Sequence, residues 1–133
     1  MRLSRKSEYA LLALIDLAER HGQAPTTSAE ISKRRQIPKQ YLDQLFLILK
    51  RAGYVRSMRG AAGGYTLAKS PDAVHLAELI RLMDGPLAPV DSASEYFYET
   101  SPIEQHPKLL KLFRKIRDQL AEILENTTLE DIR

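Results

Sequence analysis

The way apolar periodicity changes along residues 5–68 constrains this chain more than any other feature. In SRKSEYALLALIDLAERHG, apolar side chains recur at helical spacing. Tyr9, Leu12, Ala13, Leu14, Ile15, Leu17 and Ala18 predict one broad buried face, and Gly22 ends the helix. In APTTSAEISKRRQI, Thr27 is followed three positions later by Glu30, a capping-box pattern that predicts a short second helix burying Ile31. Ile37-Pro38 interrupts the pattern. Pro38 suits the first position of a third helix, KQYLDQLFLILKRAG, which Gly53 closes. Beyond Gly53 the period becomes that of a strand: YVRSM and YTLA alternate on either side of RGAAGG, predicting a two-stranded hairpin from about 54 to 68.

Three helices followed by a hairpin is the order of a winged helix-turn-helix, so the expected fold is mainly α with a small β-hairpin. SPDAVHLAELIRLMDG predicts a further helix from Val74 to Met83, stopped by Asp84-Gly85-Pro86, and residues 86–106 show no period and read as a long loop. In KLLKLFRKIRDQLAEILEN, Leu109, Phe113, Ile116, Leu120 and Ile123 alternate at spacings of four and three, a seam that asks for a partner helix. The seam is little more than two heptads long, so packing back on its own domain competes for it. NTTLEDI predicts a short capped turn.

Charge is divided unevenly. Residues 1–60 hold 12 Lys+Arg against 5 Asp+Glu, a balance of +7, while residues 61–133 hold 8 against 12, a balance of −4. A basic first half suggests a polyanion-binding module. With 44% apolar residues in 133, one core is well supplied. No apolar run approaches the roughly 18 residues of a membrane span, and MRLSRKSEYALL lacks a signal peptide's cleavage site, so the expected location is the cytoplasm, with no membrane partner. The absence of cysteine excludes disulfides, thiol nucleophiles and thiolate-held clusters. His21, His75 and His106 are scattered and no nucleophile or metal motif occurs, so no enzyme, catalytic residue or metal site is expected.

The third helix carries the chemistry. Projected at about 100° per residue, Tyr41, Leu42, Leu45, Ile48, Leu49 and Ala52 share one face, and Lys39, Gln40, Asp43, Gln44, Lys50 and Arg51 the other. Amides bond bidentately to adenine, a carboxylate accepts from the cytosine amino group, and recognition helices read bases with their N-terminal residues. Lys39, Gln40, Asp43 and Gln44 are therefore candidates for the major groove, and Lys50 and Arg51 for the DNA backbone. Leu47, on the polar face, suits a thymine methyl. An ordinary solvated face is the blander alternative, against which the basic half and the hairpin weigh.

RGAAGGY, residues 59–65, is not a nucleotide loop, because a P-loop needs a lysine after its last glycine and then a helix, whereas Tyr65-Thr66-Leu67 alternates like a strand. Its glycines suit a slim hairpin tip that approaches another backbone closely. Arg59 and Gly60 at that tip are candidates for a narrow minor groove, where the potential is most negative. In the long loop, EYFYE groups Tyr96, Phe97 and Tyr98, a candidate small-molecule pocket or partner surface; a loop that simply buries Phe97 and leaves Tyr96 and Tyr98 at its rim is the favoured, blander alternative.

Taken together, RKSEYALLALIDLA, IPKQYLDQL, RAGYVRSMRGAAGGYTLA and NTTLEDI resemble the Rrf2 family of bacterial winged helix-turn-helix transcription regulators over almost the whole chain. The Gly-rich wing joined to the YL-x-QL helix at this spacing is the most specific part. The resemblance implies a homodimer on palindromic double-stranded DNA, with a recognition helix in each major groove and a wing in the flanking minor groove. It points to Gln40, Asp43 and Gln44 for base contacts, Lys39 and Tyr41 for support at the backbone, Arg59 in the minor groove, and Arg2, Ser4 and Lys6 at phosphates. It divides the chain into a DNA-binding domain at 1–84, a sensor loop at 85–106, and a dimerisation helix with C-terminal turn at 107–133. Members that hold an iron-sulfur cluster carry three cysteines in that loop. Residues 86–106 have none, so no cofactor is expected, and a small-molecule or protein effector takes its place. The expected function is a sequence-specific repressor. The alternative is a winged helix serving a protein partner, which would bind with a shallow salt dependence where DNA binding shows a steep one.

Overall fold

The computed structural model describes every residue of the chain except Ala61, Ala62, Tyr96 and Phe97. Its regular elements are α1 (Arg5–Glu19), α2 (Ser28–Arg35), α3 (Lys39–Arg51), β1 (Val55–Met58), β2 (Gly64–Leu67), α4 (Leu76–Asp84), α5 (Pro107–Glu125) and α6 (Leu129–Ile132). Short 3-10 turns occupy Pro71–Ala73, Asp91–Ala93 and Pro102–Gln105.

Ser4 caps α1, its hydroxyl accepting from the Ser7 amide at 3.1 Å. Ala10, Ala13, Leu14, Leu17 and Ala18 are buried, as the spacing predicts. Leu12 is not. It lies roughly 200° around the helix from Ala10 and Leu14 and faces solvent, while Asp16 takes a place in the interior. Thr27 caps α2 by accepting from the Glu30 amide at 3.1 Å. The return arm of a capping box is replaced: the Glu30 carboxylate accepts instead from the Thr26 hydroxyl at 2.8 Å. Gln36, left-handed at φ 55°, ends α2 and makes the turn into α3.

Pro38 is the cap of α3 and not its first helical residue, because its ψ of 126° is extended. Its carbonyl still opens the helix, accepting from the Leu42 amide at 2.9 Å. Leu42, Leu45 and Leu49 are buried as expected, and Phe46, which the projection left unassigned, is buried too. Ala52 is exposed, since the helix ends at Arg51 and the chain turns away through Gly53.

The hairpin pairs Val55 with Leu67 through to Met58 with Gly64. A third piece of backbone joins it: Thr26 forms an isolated antiparallel bridge with Tyr65, through hydrogen bonds of 3.1 and 2.7 Å. Gly64 makes this approach possible. At φ +136°, a Cβ there would lie 2.4 Å from the Thr26 carbonyl oxygen. Tyr65 then stacks on Phe46 with ring centroids 4.1 Å apart, fastening the hairpin to α3.

α4 starts at Leu76, later than the predicted Val74, because Val74 and His75 run extended beside the C-terminal segment. Leu76 donates to the Thr127 carbonyl at 2.9 Å and Leu129 to that of Val74 at 3.0 Å. Thr128 and Asp131 form a full capping box, and Leu129 is buried in the core that α1, α3 and β1 share. α5 packs against α4 and the 3-10 turns through Leu110 and Ala121, its buried residues.

Candidate nucleic-acid interface

Part of the basic half turns inward. Asp16 is fully buried and accepts from Arg34 at 2.8 and 3.2 Å and from Arg35 at 3.0 Å, with Arg20 3.7 Å away. Arg35 also pairs with Glu19 at 2.5 Å, and Arg34 donates to the Thr26 hydroxyl at 2.7 Å. Burial pushes the Asp16 carboxyl up, but the hydrogen bonds and charges of Arg34 and Arg35 outweigh it and hold it below the usual carboxylate range. Arg34 and Arg35 thus lock α2 against α1 instead of facing a polyanion, while Lys33 beside them is exposed. A carboxylate on the inward stripe of α1, spaced i+3 from Ala13, was the available signal for this network.

What remains outward is concentrated at three places. On α3, Lys39, Gln40 and Gln44 are exposed. Lys39 bonds Asp43 at 2.9 Å, one turn on. A hydrogen bond from Ser28, followed by the Lys39 bond and charge, holds the Asp43 carboxyl below its ordinary range despite partial burial. Asp43 is thereby an anionic acceptor, oriented from both α2 and α3. Lys50 and Arg51 are exposed at the other end of the helix, and Leu47 is 54% exposed on the same polar face.

The start of α1 comes alongside. Lys6, Tyr41, Gln44, Leu45 and Ile48 line one shallow groove between α1 and α3. Tyr41 is half-buried there, held edge-on by Tyr9 at 5.4 Å between centroids. Arg2 is exposed just before the helix. Ser4 is already engaged: its amide donates to Asp84 at 2.9 Å and its hydroxyl donates to the other oxygen of the same carboxylate. On the hairpin, Arg59 and Gly60 are exposed, Gly60 with φ +100°. Gly63 donates to the Gly60 carbonyl at 2.9 Å, and a Cβ on Gly63 would lie 2.8 Å from two carbonyl oxygens, so the tip is narrow.

The α5 seam is left open by the packing of α5 on its own chain. Leu110 and Ala121 face inward, while Leu109 is exposed, Phe113, Ile116 and Leu120 are half-buried, and Ile123 is 64% exposed. Leu112, 51% exposed, extends the same stripe and escaped the spacing rule. In the loop, the Tyr98 hydroxyl donates to Glu104, and Glu95 pairs with Arg117 at 3.0 Å. Tyr96 and Phe97, the other two residues proposed for an effector, lie outside the described residues.

A model of the Rrf2 family, described as an iron-dependent transcriptional regulator, matches residues 3–133. The chain belongs to the Rrf2 family. The HTH-type transcriptional regulator CymR of Bacillus subtilis is 38% identical over 132 residues, covering 99% of this chain and 89% of the relative. IscR of Erwinia tasmaniensis is 33% identical over 132 residues, covering 99% and 78%. Among solved structures, B. subtilis CymR, the global cysteine regulator, superposes with a TM-score of 0.81 at 38% identity, over 99% of this chain and 95% of that one. T. potens IscR gives 0.77 at 30% identity, over 99% and 85%. This Rrf2 member therefore has the winged helix-turn-helix fold of transcriptional regulators that bind DNA, and the family is not one of enzymes.

The donor set does not suit the iron of the family's description. The chain has no cysteine. His106 caps α5, its Nδ1 accepting from the Leu109 amide at 3.2 Å, and His75 Nδ1 is bonded to the Glu125 carbonyl at 2.8 Å. Among the described residues no three His, Asp or Glu side chains converge as ligands. Nor is any helix among them long and apolar enough to cross a membrane.

Proposed function

We propose that this Rrf2 regulator is a cytoplasmic repressor that binds a palindromic operator as a homodimer, without a metal or cofactor of its own, and answers to a small-molecule or protein effector. The observation that carries the reading is the groove in which Lys6, Tyr41 and Gln44 converge beside the exposed Gln40 and the half-buried Asp43. It offers a base-reading edge flanked by a cation and a phenol for the phosphates. Lys39, Gln40, Asp43 and Gln44 read the major groove, with Gln40 and Gln44 suited to adenine and Asp43 to the cytosine amino group. Arg59 enters the minor groove behind Gly60. Arg2, Lys6, Tyr41, Lys50 and Arg51 set the register at phosphates. Ser4, engaged with Asp84, serves by holding the start of α1. The Leu109, Phe113, Ile116, Leu120 and Ile123 seam joins two copies.

Selection of a random duplex library with the purified protein at physiological salt tests this reading. The expected result is an enriched palindrome whose affinity falls steeply with salt. Folded protein that enriches nothing, with or without cell extract, would overturn it in favour of a winged helix that serves a protein partner.

A further inference from the structure

One interaction is absorbed neither by the core nor by the base-reading face. The Asp84 carboxylate, in the last turn of α4, accepts from the Ser4 amide at 2.9 Å and from the Ser4 hydroxyl, a contact between residues 80 positions apart. Burial pushes the Asp84 carboxyl up, but its two hydrogen bonds from Ser4 and the charge of Lys6 help to outweigh this and keep it ionised. The first amides of a helix have no intrahelical acceptor and carry the positive end of its dipole. Asp84 supplies a full negative charge there from another element.

Two consequences follow from this placement. The cap amide of α1 is taken by a carboxylate, and Arg2 and Lys6 stand two residues to either side of Ser4, where their side chains bracket the contact. Asp84 is also the last helical residue before Gly85, whose φ of +86° turns the chain out of α4 into residues 86–106. The same carboxylate thus ends the loop's root and fixes the helix start that carries Arg2 and Lys6.

We infer that Asp84 is a positioning residue for DNA binding, a latch through which the last turn of α4 sets Arg2 and Lys6 against the phosphates. A shift of that turn by the loop withdraws the carboxylate, loosens the first turn of α1 and weakens the backbone contacts without touching α3. This rests on the proposed reading of α3 and α1 as a DNA interface.

Amide hydrogen exchange and DNA titration on the full-length protein test it together. In Asp84→Ala, exchange at the Ser7 and Glu8 amides rises while that of α3 is unchanged. Affinity for a duplex enriched by the wild-type protein drops about three- to tenfold, and the slope of log affinity against log salt shrinks by about 1 to 2, the loss of one or two phosphate contacts. In an Arg2→Ala/Lys6→Ala background the same substitution leaves affinity unchanged, an outcome a general loss of stability would not give. Asp84→Glu restores part of the affinity. Unchanged exchange at Ser7 and Glu8 would overturn the latch by itself, as would an undiminished effect of Asp84→Ala in the double background. If Gln40→Ala leaves binding of the enriched duplex intact, the interface reading fails instead, and the exchange result still decides whether the latch exists.

Discussion

Asp16 shows how a single buried charge redirects a basic sequence. Replacing it with Asn leaves Arg34 and Arg35 without their shared anion, though both reach solvent at their edges, so the expected loss is about 3 kcal/mol, at the low end for breaking a buried pair. Urea unfolding measures it. The linkage has a definite sign. The folded pKa lies below the unfolded one, so the stabilisation is complete above the ordinary carboxylate pKa of 3.8 and fades as pH falls through the lower folded value. Wild-type stability therefore declines below about pH 4 more steeply than that of Asp16→Asn. Arg59 makes the contrasting case, exposed at the wing tip, where Arg59→Ala should cost about 1 to 3 kcal/mol of DNA affinity and almost nothing in stability. A titration showing no loss of affinity would leave the wing in solvent. Residue type and spacing made Gln40, Asp43 and Gln44 legible as an exposed polar edge, because helical projection needs only the sequence. They did not separate Arg59 from Arg34, since whether an arginine is paired depends on contacts such as Arg34 with Asp16, 18 positions away.

At the level of elements, the helices announced themselves by period and the hairpin by its change of period and its glycines. What escaped was the single bridging residue: Thr26 adds a strand to the hairpin with one residue, and one residue has no period. Gly64 is the other half of that contact, and its conformation and lack of space are both binding. Gly64→Ala meets a positive φ and the Thr26 carbonyl at once, so it should destabilise the protein by about 3 kcal/mol or more. Gly60→Ala has only the φ to contend with, since nothing lies within 4 Å of its Cβ position, and should cost about 1 kcal/mol. Thermal melts of the two variants rank them. Equal losses would mean that Gly64 is constrained by φ alone. The late start of α4 has the same origin as the Thr26 bridge, since Val74 and His75 pair with residues 127–129, a contact that no local window contains.

For the whole molecule, the seam on α5 ties packing to function. The sequence left two uses for it open, a partner helix or the chain's own domain; α5 buries Leu110 and Ala121 against its own chain and half-buries Phe113, Ile116 and Leu120, leaving Leu109, Leu112 and Ile123 exposed. Leu109, Leu112 and Ile123 on the stripe are exposed, an apolar edge that a second copy would cover in the proposed dimer. Ile123→Glu, at a position that contributes little to the monomer's core, should leave the fold intact and turn a dimer into a monomer in sedimentation equilibrium. DNA binding then changes in a specific way. A monomer contacts one half-site, so the salt slope on a palindrome should fall to about half, with affinity down by at least about two orders of magnitude, because the second half-site is no longer held at high effective concentration. A variant that stays dimeric would place the interface elsewhere. A monomeric variant with undiminished affinity would mean that a single copy reads the whole site, and that the seam serves a partner other than a second copy of this chain.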